Sequence, residues 1–457
     1  MKRYGAYRET NMSWCGEIPE TWDIHTVHSV FQERKEKNSP KKTDAILSLT
    51  AQQGVIPYSE KKSGGNKAKE DITLYHLAYP GDLVMNSMNI VSGSVGLSKY
   101  YGAISPVYYA LHVRDEWHDI RYYAYLFGLA TFQRSLLPLG NGILMKVSST
   151  GKLNTVRKRI SMEKFNNVEL PAPPIEEQHQ IVRYLDAKTA QIDCAIRGYE
   201  RLVALLEERK TAVINEAVTK GVRRGIVTKE SGVNWLDKIP QHWEMRYAKQ
   251  LFALRRDKAR EDDEQLTSSQ KYGIISQQEF MEREGRRVTV VLKGEDILKH
   301  VEAGDFVISM RSFQGGLEYS HVSGKISSAY VMLIPNHDLV YDRYFRWLFK
   351  SESYIRALQG TSDLIRDGQA LRYANFAKVY LPCIPLNEQK EIADYIDMEV
   401  RRIDNAMIPI AKQMELLRER RTRLISDVVT GQVDVCDVVV PDREAQDDGD
   451  EYDGAGA

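Results

Sequence analysis

Side chains that could hydrogen-bond base edges or phosphates gather in several polar segments of the sequence. Arg, Asn and Gln can form bidentate hydrogen bonds with base edges in a major groove, while Lys mostly neutralises phosphate. The candidates in the first half of the chain are Lys67, Asn86, Asn89, Asn154, Arg157 and Lys158. Those in the second half are Gln277, Gln278, Arg311, Ser312, Gln314, Arg366, Gln369 and Arg372. Each segment taken alone is more often a solvated loop, so the pattern predicts a DNA-contacting surface and leaves its individual residues open.

Two of these segments hold equivalent positions in the two halves of the chain. Residues 86–89 follow a Pro-Gly-Asp turn and a short apolar run, and residues 311–314 follow a Gly-Asp turn and a similar run. Apolar runs of this kind after a turn predict buried strands. The two segments are therefore the strongest candidates for contacting a ligand.

The motifs of common enzyme classes are missing. The sequence has no phosphate-binding GxxxxGK[ST], no GxGxxG after a strand, no GxSxG elbow and no Asn/Asp-Pro-Pro-Tyr stretch of adenine methyltransferases. Its four cysteines are far apart, which predicts free thiols, and its ten histidines form no paired ligand set. We therefore expect neither catalysis nor a metal site in this chain.

Composition points to a multidomain protein without a membrane segment. The 457 residues are 42% hydrophobic and 28% charged, enough chain for two to four cores. Mean hydropathy is −0.43 and no apolar stretch is long enough to span a bilayer. The first residues lack an apolar signal region, so we expect a cytoplasmic protein.

Charge is unevenly distributed although the net charge is zero. Residues 1–174 carry 22 basic and 16 acidic groups, and residues 221–386 carry 25 and 21. Residues 433–457 hold nine acidic groups and one basic group, which predicts a disordered acidic tail. Two mildly basic regions remain compatible with a polyanionic ligand.

The chain is an internal duplication. The pattern Trp-x-x-x-Ile-Pro-x-x-Trp occurs at 14–22 and again at 235–243. The pattern Leu-Pro-x-x-Pro-x-x-Glu-Gln occurs at 170–178 and again at 381–389, and the offset of 211 residues then holds for about fifty residues. A shared offset over that length identifies a repeat rather than chance similarity.

Each repeat consists of a mixed α/β (α+β) lobe followed by a long helix. We predict lobes at 1–175 and 221–386, helices at 176–220 and 387–432, and the tail at 433–457. Apolar residues recur every seven positions in both helices, which predicts a coiled-coil seam. The seam residues are Ile192, Tyr199, Leu206 and Val213 in the first helix and Ile403, Ile410, Leu417 and Leu424 in the second. A helix that overhangs its lobe needs a partner for this stripe, and we expect the two helices to pair antiparallel.

On the two motifs of the duplication, the sequence resembles the DNA-specificity (S) subunits of type I restriction–modification enzymes. The resemblance covers about residues 8–432. It implies that each lobe is a target-recognition domain for one half of a split double-stranded DNA site, in a pseudo-twofold arrangement. It also implies that the helices fix the spacing of the half-sites and dock two methyltransferase subunits.

Further expectations about partners come from the same resemblance. S-adenosylmethionine would belong to the methyltransferase partners, and ATP and Mg would belong to a restriction subunit where one is present. No cofactor is expected in this chain, and the complex as a whole would methylate adenine.

Two alternatives remain open at the level of the sequence. The chain could be a coiled-coil adaptor whose two lobes bind a partner other than DNA. It could also be an enzyme, such as a nuclease-linked module, with an active site that no motif reveals. A lack of DNA binding, even with the methyltransferase present, would favour the first alternative. DNA cleavage or modification by the pure chain would support the second.

Overall fold

The computed structural model describes residues 2–50, 53–61, 71–88, 93–142, 158–285, 297–309, 312–361 and 373–441. The chain forms two compact units, one made of Met1–Gly198 and Gln413–Ala457, the other of Tyr199–Lys412. Each unit therefore contains one lobe, the first part of the long helix that follows this lobe, and the last part of the other long helix.

The first repeat contains fourteen strands and five α-helices in its described part. In chain order they are β1 (Tyr7–Glu9), β2 (Glu17–Pro19), β3 (Asp23–Thr26), α1 (Val27–Val30), β4 (Phe31–Glu33), β5 (Leu47–Thr50), β6 (Gly54–Pro57), β7 (His76–Ala78), β8 (Leu83–Asn86), β9 (Val95–Leu97), β10 (Gly102–Ile104), β11 (Tyr108–Val113), α2 (Ile120–Phe127), α3 (Ala130–Ser135), β12 (Asn141–Gly142), β13 (Lys158–Arg159), α4 (Met162–Phe165), β14 (Glu169–Ala172) and the long helix α5 (Ile175–Lys220).

The second repeat has a closely similar order. Its described elements are β15 (Thr228–Val233), β16 (Leu236–Pro240), β17 (Glu244–Tyr247), α6 (Ala248–Leu251), β18 (Phe252–Leu254), β19 (Leu266–Ser269), β20 (Gly273–Ser276), α7 (Gln277–Glu284), β21 (Lys299–Val301), β22 (Phe306–Ile308), α8 (Ser312–Gly315), β23 (Glu318–Tyr319), β24 (Gly324–Ile326), β25 (Val331–Pro335), α9 (Asp342–Leu348), α10 (Glu352–Gln359), α11 (Tyr373–Phe376), β26 (Tyr380–Cys383) and the long helix α12 (Leu386–Val429).

The sheets of the two lobes share one antiparallel topology. A four-stranded sheet has the order β4-β11-β8-β9 in the first lobe and β18-β25-β22-β23 in the second. The strand before each long helix pairs with an early strand of its lobe, β14 with β3 and β26 with β17. The buried strands predicted after the two Gly-Asp turns are β8 and β22, which confirms that part of the sequence analysis.

Each lobe has a core rich in aromatic residues that continues onto the long helices. In the first unit Trp22, Phe127 and Phe165 pack in one cluster with Ile181 of α5 and Val428 of α12. In the second unit Trp243 and Phe252 pack in one cluster with Val218 of α5 and Ile392 of α12. Burial of this apolar surface, at about 25 cal/mol per Å², fixes each lobe to its helices.

The long helices pair antiparallel within each unit. In the first unit, the start of α5 and the end of α12 both approach Trp22, and Asp193 pairs with Arg421 farther along. In the second unit, the end of α5 and the start of α12 both approach Trp243, and Lys210 pairs with Asp404. Tandem α+β lobes with two long antiparallel helices confirm the predicted fold class.

The prediction of a disordered tail over 433–457 is wrong for residues 433–441. Val435 is only 1% exposed and belongs to the core of the first lobe. Asp434 N donates to Lys2 O at 2.9 Å, and the side-chain amide of Gln180 donates to the carbonyls of Val435 and Val438 at 3.0 and 2.7 Å. Several valines in this stretch make burial favourable despite the acidic neighbours. Residues 442–457 lie outside the described residues.

Candidate nucleic-acid interface and the junctions that hold it

The candidate segment of the first lobe begins at the end of β8. Asn86 is the last residue of this strand and is 9% exposed. Its Oδ1 accepts a hydrogen bond from Met88 N at 3.0 Å, and the neighbouring Ser87 hydroxyl donates to Val107 O at 2.7 Å. These bonds shape the chain as it leaves the sheet, so Asn86 orients the segment that follows rather than projecting from it.

The equivalent segment of the second lobe follows β22 and requires a correction. Ser312 is 0% exposed, and its hydroxyl accepts a hydrogen bond from Ser309 N at 2.9 Å. Because its only side-chain oxygen lies inside the lobe in this turn, we no longer expect Ser312 to contact DNA directly. Its role is to hold the turn from which the segment starts.

Gln314 lies on the single-turn helix α8 and is exposed. The chain directly after it is held closely against the lobe. Gly316 has a φ of +75°, and a Cβ there would overlap the carbonyl oxygen of Phe349. Lys350 Nζ donates to Gly315 O at 3.0 Å. Gln314 therefore projects from a fixed backbone, which is what a base-contacting side chain requires.

Gln277 and Gln278 lie in the first turn of α7. Ser276 caps this helix by accepting a hydrogen bond from Glu279 N, and Gln277 N donates to Gln265 O at 3.0 Å. Gln278 is exposed, and its side-chain amide donates to Glu282 at 3.1 Å. Both are accessible enough to contact a ligand.

The remaining candidates are less completely placed. Lys158 is in β13, paired with Gly142, and its side chain is outside the described atoms. Eight further candidates lie outside the described residues, namely Lys67, Asn89, Asn154, Arg157, Arg311, Arg366, Gln369 and Arg372. Their participation stays a prediction.

Buried ion pairs bind the candidate strands to their sheets. Arg34, which follows β4, forms a bidentate pair with Asp82 at the start of β8, at 2.8 and 3.0 Å. Arg255 and Asp305 form the equivalent pair in the second lobe, at 2.6 and 3.0 Å. Both carboxylates are almost fully buried, and the hydrogen bond to Asp305 raises the pKa of Arg255. Such charge-assisted pairs fix the strands that carry Asn86 and Ser309.

A tryptophan–glutamate contact joins each lobe to its long helix. The indole Nε1 of Trp22 donates to Glu177 Oε1 at 2.9 Å, and Tyr4 also donates to this carboxylate. In the second repeat, Trp243 Nε1 donates to Glu388 Oε1 at 3.1 Å, while His242 Nε2 lies 2.7 Å from Glu388 Oε2. These contacts join the Trp-x-x-x-Ile-Pro-x-x-Trp motif to the Glu-Gln motif of the same repeat.

The glutamine of the Glu-Gln pair fixes the other side of the junction. Gln178 accepts a hydrogen bond from Asp119 N at 2.8 Å and donates to Trp117 O and Pro173 O. Gln389 likewise accepts from Tyr341 N at 2.8 Å and donates to two carbonyls, Leu339 O and Ile384 O. Each buried amide thus bonds the residues at the start of a lobe helix to the chain entering the long helix.

The far end of the opposite helix is held by a tyrosine. Tyr122 OH donates to Val429 O at 2.9 Å in the first unit, and Tyr344 OH donates to Val218 O at 2.8 Å in the second. Both rings are fully buried, and burial raises the pKa of each phenol far above its usual value. Each hydroxyl therefore stays a donor to a carbonyl that the helix itself leaves unpaired at its end.

Sequence reasoning identified these motifs as marks of a repeat but missed their structural role. Glu177 and Glu388 each accept an indole hydrogen bond that ties the start of the long helix to its lobe. The recurrence of a tryptophan and of a glutamate in both copies was the available signal. It could not show that the two residues meet, because about 150 residues separate them.

The predicted seam residues are among the less exposed positions of the two long helices. Ile192, Ile403 and Leu424 are buried, while Tyr199, Leu206, Val213, Ile410 and Leu417 are half-buried. Two ion pairs at equivalent positions accompany them, Asp193 with Arg421 and Lys210 with Asp404.

Within the described part of the chain, no group of three or more His, Cys, Asp or Glu side chains could hold a metal ion. No described helix combines the length and apolarity needed to cross a membrane.

Comparisons with known proteins agree with the duplicated organisation. The model of the type I restriction modification DNA specificity domain matches residues 19–196 and again residues 240–408. The chain is 22% identical to the type I restriction enzyme MjaVIII specificity subunit of Methanocaldococcus jannaschii, over 94% of this chain and 97% of that protein. It is also 22% identical to the putative type I restriction enzyme MjaX specificity subunit of that organism, over 94% and 98%.

Among solved structures, one chain has the same fold at a TM-score of 0.63 and 13% identity, covering 91% of this chain and 99% of that chain. That structure is described as the basis of complex assembly and conformational transition of the type I R-M system. The two matched regions together span most of the sequence and coincide with the two repeats. The chain belongs to the family defined by the type I restriction modification DNA specificity domain, of which it carries two copies.

Proposed function

We propose that this chain is the DNA sequence-specificity subunit of a type I restriction–modification complex, and that each lobe recognises one half of a bipartite site. The observation that carries the proposal is the presence of two specificity domains in one chain, each rigidly joined to a long helix. The named specificity subunits that it resembles along their whole length support the same function.

Recognition would depend on side chains projecting from fixed backbone. Gln314 and Gln278 are exposed amides, and an amide can form a bidentate pair with adenine in the major groove. A good pair of this kind contributes about 1–3 kcal/mol to discrimination between bases. The buried Arg–Asp pairs and the short turns after β8 and β22 limit movement of the segments that would enter the groove.

The long helices would fix the separation of the two half-sites and dock two methyltransferase subunits. Two recognition elements that enter successive major grooves on one face of DNA need centres about 34 Å apart. A helix of 46 residues, such as α5, spans about 69 Å, so the helices are long enough to set such a separation.

The chemistry would belong to the partners. The methyltransferases would supply S-adenosylmethionine and methylate one adenine in each half-site, with the target base flipped out of the stack. ATP and Mg would act in restriction subunits where these are present. This chain would contribute binding and positioning.

The experiment is a genome-wide map of adenine methylation in cells that express this chain together with its methyltransferase, compared with cells that express the methyltransferase alone. The proposal predicts a split motif, two short halves with a fixed gap, that appears only when this chain is present. Methylation that needs no specificity chain would contradict the proposal and favour an adaptor that binds a partner other than DNA.

A further inference from the structure

An open cationic cleft lies in the second unit between the lobe and α12. Its volume is about 450 Å³, and its walls come from the β19–β20 turn, β23, α9 and α12. The basic side chains that line it are Lys271, Arg343, Arg346, Lys350 and Arg401. The acidic ones are Glu318 and Asp397. The cations therefore outnumber the carboxylates.

Carboxylates of the same unit neutralise some of these basic side chains. Lys350 pairs with Glu318, and Arg343 pairs with Asp397 and, at 2.8 Å, with Asp394. These contacts hold the walls of the cleft together. His321 adds no charge near neutral pH, because burial and the nearby Arg346 lower the pKa of its imidazole.

Two arginines remain available to an outside anion. Arg346 and Arg401 are both exposed, and neither forms an ion pair with any residue in the described part of the chain. The guanidinium of Arg346 lies 5.2 Å from the centroid of the Tyr319 ring, which orients it without neutralising it. A planar guanidinium suits bidentate bonding to a phosphate.

The first repeat lacks three of these five basic side chains. At the repeat offsets of 222 and 211 residues, Ala124, Gly128 and Ala190 stand where the second repeat has Arg346, Lys350 and Arg401. Asp186 of the first repeat is equivalent to Asp397 of the second. Asp186 pairs with Arg121, just as Asp397 pairs with Arg343. Because the same framework folds with alanine at 124 and 190, the two arginines are not needed for the fold.

The cleft adjoins the segment that we expect to contact bases. Gln270 lines the cleft and lies against Gly315, the residue after Gln314. Lys350 also lines the cleft and donates to Gly315 O at 3.0 Å. An anion held in this cleft would therefore lie beside the segment that carries Gln314.

We propose that this cleft binds the phosphodiester backbone of DNA, and that it makes the second lobe the stronger of the two in sequence-independent binding. The inference rests on the proposed function, because it takes DNA as the ligand of the lobe. Phosphate contacts position a protein on the duplex while base contacts supply specificity, so the cleft would complement Gln314.

The test measures binding of the full chain to a duplex of arbitrary sequence as a function of salt. The variant is Arg346→Ala/Arg401→Ala, which introduces the residues of the first repeat. The control is Lys238→Ala/Lys249→Ala, which removes two exposed cations of the same lobe that do not line the cleft. The logarithm of the DNA-binding constant falls linearly with the logarithm of the salt concentration, and each lost phosphate contact makes this slope less steep by about 0.9.

We expect the cleft variant to bind every sequence more weakly and to lose about two units of this slope, while the control keeps the slope of the unmodified chain. An unchanged slope in the variant, or an equal loss in the control, overturns the inference and leaves the proposed function intact. If the variant keeps its slope but no longer co-purifies with the methyltransferase, the cleft holds an acidic protein segment instead. If the unmodified chain binds no DNA even with the methyltransferase, the proposed function fails and the inference fails with it.

Discussion

At the scale of single residues, two carboxylates, the buried Glu388 and the half-buried Glu177, connect the lobes to the helices. Glu388 is almost fully buried and receives hydrogen bonds from the Trp243 indole and the His242 ring. Glu177 has the same position in the first repeat, with Tyr4 in place of the histidine. A buried carboxylate without donors is costly, so these contacts make the orientation of each lobe sensitive to a single side chain.

Replacement of this carboxylate should therefore weaken the second unit. Glu388→Ala leaves the indole N–H of Trp243 without its acceptor, and we expect a loss of about 1.5–3 kcal/mol of unfolding free energy. Urea unfolding followed by tryptophan fluorescence measures it. The control is Glu391→Ala, since Glu391 is exposed and pairs with the exposed Arg223. A loss no larger than that of the control would contradict the structural role of Glu388.

A second residue-scale prediction concerns pH. His300 is fully buried between Asp263 and Glu302, at 2.8 and 2.9 Å. Burial alone would lower the pKa of His300, but the hydrogen bonds to Glu302 and Asp263 raise it above 6.5. The Ser323 hydroxyl, and then His300, lower the pKa of Glu302 from 4.5 to about 2.

The two shifts define a window of greatest stabilisation. The contribution of His300 is complete below pH 6.5 and is lost as pH rises through its raised pKa, while that of Glu302 is complete above pH 4.5 and is lost as pH falls toward 2. The difference in unfolding midpoint between the unmodified chain and Glu302→Gln should thus be largest between pH 4.5 and 6.5. If the difference between the two unfolding midpoints does not vary with pH, the protonation of His300 and Glu302 is not coupled to folding.

At the scale of elements, the heptad pattern of α12 separates a packed face from an open one. Ile403, a predicted seam residue, is 5% exposed, whereas Ile408 on the same helix is 66% exposed. The two residues have identical side chains and nearly the same place in the helix, so they form a matched pair.

We expect Ile403→Ala to lower the free energy of unfolding by about 2–5 kcal/mol, because it removes a buried side chain and leaves a cavity. Ile408→Ala should change it by less than about 0.5 kcal/mol, since an exposed substitution seldom matters more. Thermal unfolding measures both. Equal effects would mean that the two helices do not pack through the predicted seam.

The segment 433–441 after α12 belongs to the first lobe. A chain that ends after Gln432 loses the burial of Val435, at about 1.5–3 kcal/mol, together with the hydrogen bonds to Lys2 and Gln180. A chain that ends after Pro441 keeps all of these contacts. The first truncation should lower the unfolding midpoint and the second should leave it unchanged. Identical midpoints would indicate that the segment does not stabilise the lobe.

These elements show what the sequence could predict. The duplication follows from the constant offset between the two copies of each motif. The two long helices follow from heptad spacing, and the strands after the Gly-Asp turns follow from turn chemistry. Contacts between distant segments, such as Trp22 with Glu177, did not follow, because no local pattern encodes which distant side chains meet. Burial of Ser312 was missed for a related reason, since a hydroxyl that caps a turn and one that contacts a ligand look alike in sequence.

At the scale of the whole molecule, the proposed function requires two equivalent lobes that act on separate half-sites. Both lobes use the same sheet topology, the same Arg–Asp pairs and the same junction to a long helix. They differ in the segments expected to contact bases and in the charge of the cleft beside α12. Specificity should therefore be separable by lobe, while the gap between half-sites should depend on the helices.

The most direct test replaces residues 244–380 by the corresponding lobe of another specificity subunit and maps methylation in cells that also express the methyltransferase. The exchanged region lies between the Trp-x-x-x-Ile-Pro-x-x-Trp and Glu-Gln motifs and retains both junction carboxylates. We predict that one half of the methylated motif changes while the other half and the gap remain. A motif that changes in both halves, or that stays the same, would contradict recognition of one half-site by each lobe.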